Sequence, residues 1–206
     1  MKRIGYLLRR NPIGVFGGAI VLIFIVIAII PGWFAAHDPI EMSGPALSPP
    51  DNQFPLGTDR YGRDIWSRIA YGTSVSFQVG FLSVIVAAIF GVILGMSAGF
   101  FRGTGDYLIM RVMDTIFAFP SILLAIAIVA VIGSGLVSIV FAIVIVYTPI
   151  FARVARASTL SIKEQEFVLA AHATGVGKAR ILYTHIFPNI TSPILVQMAL
   201  SLSGAI

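Results

Sequence analysis

"TIFAFPSILLAIAIVAVIGSGLVSIVFAIVIVYTPIFA", from Thr115 to Ala152, runs for 38 positions without an acidic or basic residue. As one helix it would extend about 57 Å, nearly twice the roughly 30 Å hydrocarbon thickness of a bilayer. It is too long for a single crossing and too apolar for a water-facing helix. Gly133-Ser134-Gly135 interrupts it near the middle, so the stretch predicts a helical hairpin that crosses twice.

Working outward, charge-free runs at Asn11–Ala36 and Ile69–Phe101 each suffice for one further crossing, and Ile190–Ile206 begins another. The expected fold class is all-α, a polytopic membrane protein with about five transmembrane helices. Composition agrees: 57% of the 206 residues are hydrophobic and only 11% charged, where soluble domains carry about a quarter charged. The chain has no cysteine, which excludes disulfides, thiolate metal sites and thiol catalysis within it. The basic start, "MKRIGYLLRR", precedes an apolar run, Ile13 to Ile30, that exceeds the roughly 7–15 residues of a signal-peptide core. Phe34 and Ala36 make a poor cleavage site, so a retained anchor is expected.

The net charge of +5 reflects topology rather than a nucleic-acid partner. With the N-terminus cytoplasmic, that side collects eleven basic residues: Lys2, Arg3, Arg9, Arg10, Arg102, Arg111, Arg153, Arg156, Lys163, Lys178 and Arg180. The other side holds three, Arg60, Arg63 and Arg68, beside five acidic residues. The asymmetry predicts a cytoplasmic N-terminus.

The outer loop, roughly His37–Tyr71, carries five prolines in "HDPIEMSGPALSPPDNQFPLG" and predicts an extended excursion rather than a helix. In the following "GTDRYGRDIWSRIAYG", Asp59/Arg60 and Arg63/Asp64 alternate in sign. They either pair among themselves on a solvated surface or serve docking. Gly91, Gly95 and Gly99, at four-residue spacing, put three glycines on one helix face and allow close backbone approach. That face fits a subunit interface and intrachain packing equally.

Gln78, Ser83, Ser121, Gln197 and Ser201 are polar residues in or near spans, with Gln197 and Ser201 sharing a face. Gln78, Gln197 and Ser201 are candidates for lining a pathway, although such residues also serve as ordinary packing groups. No ionisable residue lies at mid-span, so an ion-coupled carrier lacks its usual parts. Arg111 and Asp114, three apart, are expected to neutralise each other at the membrane edge.

Gly175-Val176-Gly177-Lys178 hints at a phosphate loop but fails, because His172 and Ala179 stand where glycine and Ser/Thr are required. The three histidines are scattered, and neither a zinc motif nor a nucleophile elbow occurs. No catalytic, metal-binding or cofactor-binding residue is expected. From Ser161 to Ala173 the pattern is amphipathic: Ile162, Phe167/Val168 and Ala170/Ala171 form an apolar stripe opposite Lys163, Glu164 and His172. Gly175 is a natural helix terminus, Lys178 and Arg180 open the next helix, and Pro188 marks the start of the last span. Such a helix lies on lipid headgroups or seats in a protein partner. Lacking Trp and a strongly basic face, it favours the protein.

"EFVLAAHATGVGKARILYTHIFPN", Glu166–Asn189, resembles the EAA loop of binding-protein-dependent ABC-transporter permeases, whose pattern is Glu-Ala-Ala, then Gly, then Ile-x-Leu-Pro. Ala170, Ala171, Gly175 and Pro188 match at the correct spacing. Leu169, His185 and Phe187 depart, and the acid falls at Glu166, a form similar to the dipeptide/oligopeptide group. "FPLGTDRYGRDIWSRIAYGTSVSF", "NPIGVFGGAIVLIFIVIAIIPGWFAAHDP" and "RVMDTIFAFPSILLAIAI" resemble blocks of the C-type permease subunit of that group.

The resemblance implies a type I ABC-importer permease fold. Residues 1–72 would form a cytoplasmic tail, first span and outer loop. Residues 73–206 would form the transmembrane domain, with the coupling loop at about 153–188. It further implies a non-catalytic subunit of the inner membrane, forming half of a pathway for di- or oligopeptides. Nickel or glutathione is the alternative cargo, and a stand-alone channel or secondary carrier the alternative class. The implied partners are a second permease subunit, two cytoplasmic ATP-binding subunits and an extracytoplasmic substrate-binding protein. Glu166, Ala170, Ala171, Gly175 and Pro188 would form the ATPase-coupling loop. Gly57, Asp59, Gly62, Arg63, Asp64, Ser67 and Arg68 would offer an outer docking face. Family members usually have six spans, so a chain ending inside its fifth is expected to be truncated at the C-terminus.

Overall fold

A computed structural model describes residues Pro12 to Ile206. The basic residues Lys2, Arg3, Arg9 and Arg10, and Asn11 of the expected first span, lie outside the described residues. The chain divides into two units, one up to Gln78 and one from Val79 onward.

In the first unit, α1 (Pro12–Ile29) is apolar throughout, and none of its residues is buried. Pro31 ends it, since proline cannot continue the backbone ladder, and the single turn α2 (Pro31–Phe34) follows. An irregular segment then leads to α3 (Ile65–Phe101), which continues into the second unit. α3 therefore begins earlier than expected: Ile65–Tyr71, assigned to the outer excursion, is its first two turns. The cause is Asp64, whose carboxylate accepts the backbone N–H groups of Trp66 and Ser67, both at 3.2 Å, and so caps the helix. The Trp66 indole donates to the Phe34 carbonyl at 2.6 Å, and the Ser74 hydroxyl to the Ala28 carbonyl at 2.7 Å. These bonds tie α3 to α1 and α2.

The second unit comprises the rest of α3, α4 (Gly103–Phe117), α5 (Ser121–Ile132), α6 (Leu136–Ile162), α7 (Glu166–Ala173), α8 (Lys178–Ile181), a π-helical turn at Leu182–Ile186, and α9 (Phe187–Ala205). The Gly133-Ser134-Gly135 break lies where the sequence puts it, with Gly133 at φ 104°. The segment before it differs from the expected straight third span. At twelve residues α5 reaches only about 18 Å, and it meets α4 at 92°. Pro120 is the reason: it lacks an N–H and disfavours the helical conformation of the residue before it. Among the described residues, four helices are long and apolar enough to cross a membrane, counting Lys178–Ala205 as one, and the bent α4–α5 pair makes a fifth crossing if it counts as one span.

The glycine face of α3 packs on α6 of the same chain. A Cβ at Gly91 would lie 2.7 Å from the Thr148 carbonyl oxygen, one at Gly95 would collide with the Ala152 backbone, and one at Gly99 would lie 2.9 Å from the Arg156 oxygen. Around this contact sit two apolar clusters. One joins Val84, Ala87, Ala88 and Phe151. The other joins Val92 and Ala155 to Val168, Ala171, Ile181, Ile186, Ile190 and Ile194. The second cluster roots α7 and α8 onto the spans.

Charges at this end pair between helices rather than along one. Arg156 donates two bonds to Asp106, at 2.6 and 2.7 Å. Arg153 takes Asp114 at 2.7 Å and lies 4.2 Å from the centre of the Phe117 ring. The expected Arg111–Asp114 pair does not form, because the long Arg153 side chain reaches Asp114 from α6.

Candidate functional site

α7 is the short helix on which the sequence reading turned. It begins at Glu166, whereas Ser161 and Ile162 complete α6. The amphipathic stripe from Ser161 to Ala173 is therefore two elements separated by the Lys163–Gln165 turn. The buried face of α7 is also narrower than expected. Val168 is 0% and Ala171 8% exposed, three residues apart on one face. Phe167 and Leu169 are 44% and 54% exposed, and Ala170 is exposed too. Phe167 and Ala170 thus leave the expected stripe and join Glu166 on the outward side.

The C-terminus of α7 is fixed by a Schellman turn. The Val176 N–H donates to the Ala171 carbonyl at 3.1 Å and the Gly175 N–H to that of His172 at 3.0 Å. This pairing needs a left-handed residue at position 175, and Gly175 supplies it at φ 79°. The hydrophobic contact usual in this motif is present: Val176 packs on the cluster that holds Ala171. After α8 the chain passes through the π turn, where the Phe187 N–H reaches back to the Leu182 carbonyl. Pro188 then sits in the first turn of α9, where a missing N–H is tolerated. Glu166, Ala170, Gly175 and Pro188 are exposed, and Ala171 is buried. The result is an outward apolar ridge, Phe167–Leu169–Ala170, on a helix whose inner face is anchored in the spans.

The sequence reading missed what holds the turn before α7. Lys163 Nζ donates to the carbonyls of Gly99 at 3.0 Å and Phe100 at 3.3 Å. Burial pushes the Lys163 ammonium pKa down and neighbouring Arg102 adds to this, against Glu164 and Asp106, which raise it. Only tertiary contact brings these groups together, and no local motif announced it.

In the outer segment, four of the seven docking candidates are buried: Gly57, Gly62, Asp64 and Ser67. Their work is internal. Gly57 and Gly62 both adopt φ 75°, and a side chain at either would collide with the carbonyl of Ser48 or Gly44. The Asp64 carboxylate accepts the Ser67 hydroxyl and lies 3.5 Å from His37 Nδ1, while Ser67 Oγ accepts the His37 N–H at 3.1 Å. Asp59 pairs with Arg63 at 2.8 Å and Arg68 at 3.3 Å. Desolvation raises the Asp59 pKa, but hydrogen bonds from the Arg63 side chain and from the backbone of Arg63 and Tyr61 outweigh it and hold the carboxyl at about 2. Of the alternating charges, Asp59 and Arg63 therefore pair with each other, whereas Asp64 turns to Ser67 and His37 and Arg60 is exposed. Arg68 remains exposed, beside the exposed Arg60 and Tyr61.

The pathway candidates are likewise engaged within the chain. Gln78 donates to the Ser74 hydroxyl at 3.1 Å, and Gln197 to that of Ser201 at 3.1 Å. Ser201 is only 2% exposed, which removes it from any open surface of this chain.

In the second unit, apolar helices pack through glycine, and a short helix is anchored between the last two long ones. The chain belongs to the binding-protein-dependent transport system inner membrane component family, which matches residues 91–206. Residues 2–55 match the N-terminal transmembrane domain of oligopeptide transport permease C. The dipeptide transport system permease protein DppC of Alkalihalophilus pseudofirmus is 44% identical over 97% of this chain and 66% of its own length. The di/tripeptide permease protein DppC of Pseudomonas aeruginosa is 39% identical over 94% of this chain and 66% of its own. The glutathione permease protein GsiD of Pectobacterium atrosepticum is 38% identical over 96% and 66%. This chain therefore spans 66% of the length of these three curated relatives.

Proposed function

We propose that this chain is a permease subunit of a binding-protein-dependent ABC importer, contributing half of a translocation pathway for di- or oligopeptides. The observation that carries the reading is α7: Val168 and Ala171 are buried among the spans while Phe167, Leu169 and Ala170 face outward. A helix gripped on one face, with exposed apolar side chains beside Glu166 on the other, suits a groove on a soluble partner. ATP hydrolysis belongs to that partner, and this chain is non-catalytic. The Schellman turn and Pro188 make α7 and its flanks rigid enough to pass a rigid-body movement into α6 and α9.

The N-terminus is cytoplasmic on the charge asymmetry, which puts α7 on the same side as the ATP-binding subunits. A second permease subunit completes the pathway, and an extracytoplasmic binding protein delivers cargo to the outer segment. There Arg68, Asp59 and Arg63 are the docking candidates still accessible. Peptide cargo is favoured over nickel by the match to oligopeptide permease C and by the dipeptide and di/tripeptide relatives. Glutathione is the nearest alternative.

Ala173 is exposed on α7 and the chain is free of thiols, so Ala173→Cys tests the reading directly. Cross-linking in membranes should capture an ATP-binding subunit, identified by mass spectrometry. Efficient labelling of the thiol with no protein captured would put α7 on lipid and overturn the proposal.

A further inference from the structure

In the proposed function α7 acts through the long helices that precede and follow it in sequence, α6 and α9. The geometry points to a third element. The last turn of any helix leaves carbonyls without intrahelical partners, and on α3 the Gly99 and Phe100 carbonyls are taken by Lys163. A cation at this position also meets the negative end of the helix dipole. The next residue, Glu164, accepts from Arg102 at 2.9 Å. Arg102 is the residue immediately after α3, held at φ 54°. Beyond the turn, the His172 ring of α7 stacks on Phe100 at 6.0 Å between centroids, with 12° between planes. Three adjacent contacts thus fasten the end of α3 to the turn that launches α7 and to α7 itself.

None of the three is needed to close the α6–α7 connection, which is covalent and only three residues long, Lys163–Gln165. They do fix the angle at which α7 leaves α6 relative to α3. We infer that Lys163 and Glu164 are positioning residues that couple movement of α7 to the second long helix, α3. Through its glycine face α3 then carries α6 with it, since backbone contact at Gly95 leaves no slack. This rests on α7 being the ATPase-coupling helix.

The test uses the whole transporter carrying this chain, reconstituted in lipid vesicles, and reads peptide taken up per ATP hydrolysed. Lys163→Met keeps the stem and removes the donors. It should leave co-purification with the ATP-binding subunits unchanged and lower uptake per ATP by about tenfold, within the range of a lost inter-site coupling. Lys163→Arg, which retains a donor, should restore most of it. Glu164→Gln, which weakens only the exposed arm, should lower the ratio about twofold. An unchanged ratio in Lys163→Met, or a parallel loss of ATPase and uptake that Lys163→Arg does not rescue, would overturn the inference. If Lys163→Met does not assemble, Glu164→Gln and Arg102→Gln decide it, and a wild-type ratio in both would overturn it. Failure of the unaltered chain to co-purify with any ATP-binding subunit would instead sink the proposed function.

Discussion

The outer segment before α3 and the α3–α6 contact both depend on glycines with no room for a side chain, yet they are held by different physics. At Gly57 and Gly62 the backbone turns at positive φ, and polar groups close the fold: Thr58, Asp64 and Ser67 are buried and hydrogen-bonded. At Gly91, Gly95 and Gly99 the backbone is ordinary helix, and nothing but proximity to α6 requires glycine. Outside the apolar helices, directional hydrogen bonds fix the chain, because each buried polar group left unpaired is penalised. Between apolar helices that lipid already solvates, close van der Waals packing has to supply the association. A glycine in one region is a conformational requirement, and in the other a steric one.

The sharpest way to break this contrast is Gly95→Leu. Its side chain would have to enter the Ala152 backbone, which cannot yield as a flexible side chain does, so the loss should be about 3 kcal/mol. Thermal unfolding of the purified protein measures it, with Gly17→Leu as control, since nothing lies within 4 Å of a Cβ at Gly17. Equal behaviour of the two variants would show that the helix contact is not steric.

Asp64→Ala tests the polar region. It removes the cap of α3 and leaves the Ser67 hydroxyl without its acceptor, a loss of about 2 kcal/mol. Hydrogen exchange should show faster amides at Trp66 and Ser67 while the α3–α6 contact stays protected. Uniform loosening of both regions would erase the distinction.

The smallest effect is on acid response. Asp59 has its pKa lowered from 3.8 to about 2, so its contribution is fully present above 3.8. It should fade as pH falls through about 2, when the carboxylate is protonated and its bonds from Arg63 and Tyr61 weaken. The carboxylate is accessible to solvent, so the change should be modest and reduced by salt. Exchange at Tyr61 and Arg63 followed down this range in wild type and Asp59→Asn checks it, and identical profiles would remove Asp59 from the account.

Much of the molecule was legible without coordinates. The Gly133–Gly135 break and the Gly175 terminus follow from local backbone rules that hold in any surroundings. The glycine face was legible as a close-contact face, but its partner was not, because spacing records that something approaches and not what. The bend at Pro120 was hidden inside a run whose lack of charge dominated the reading. In the outer block, Gly57, Gly62, Asp64 and Ser67, expected on a docking face, belong to the segment's own hydrogen-bonded interior. A run of Gly, Asp and Ser has the same composition whether it meets water or itself.

Sequence alone determined that this is a helical membrane protein, that its helices break at Gly133–Gly135 and at Gly175, and which short segment stands apart from the spans. Those outcomes depend on hydrophobicity, proline and glycine, whose effects act within a few residues. Only the tertiary structure decided which face of α7 is buried, that Arg153 rather than Arg111 neutralises Asp114, and that Lys163 caps a helix sixty-four residues earlier. These depend on which helices become neighbours, a long-range outcome that no local pattern encodes.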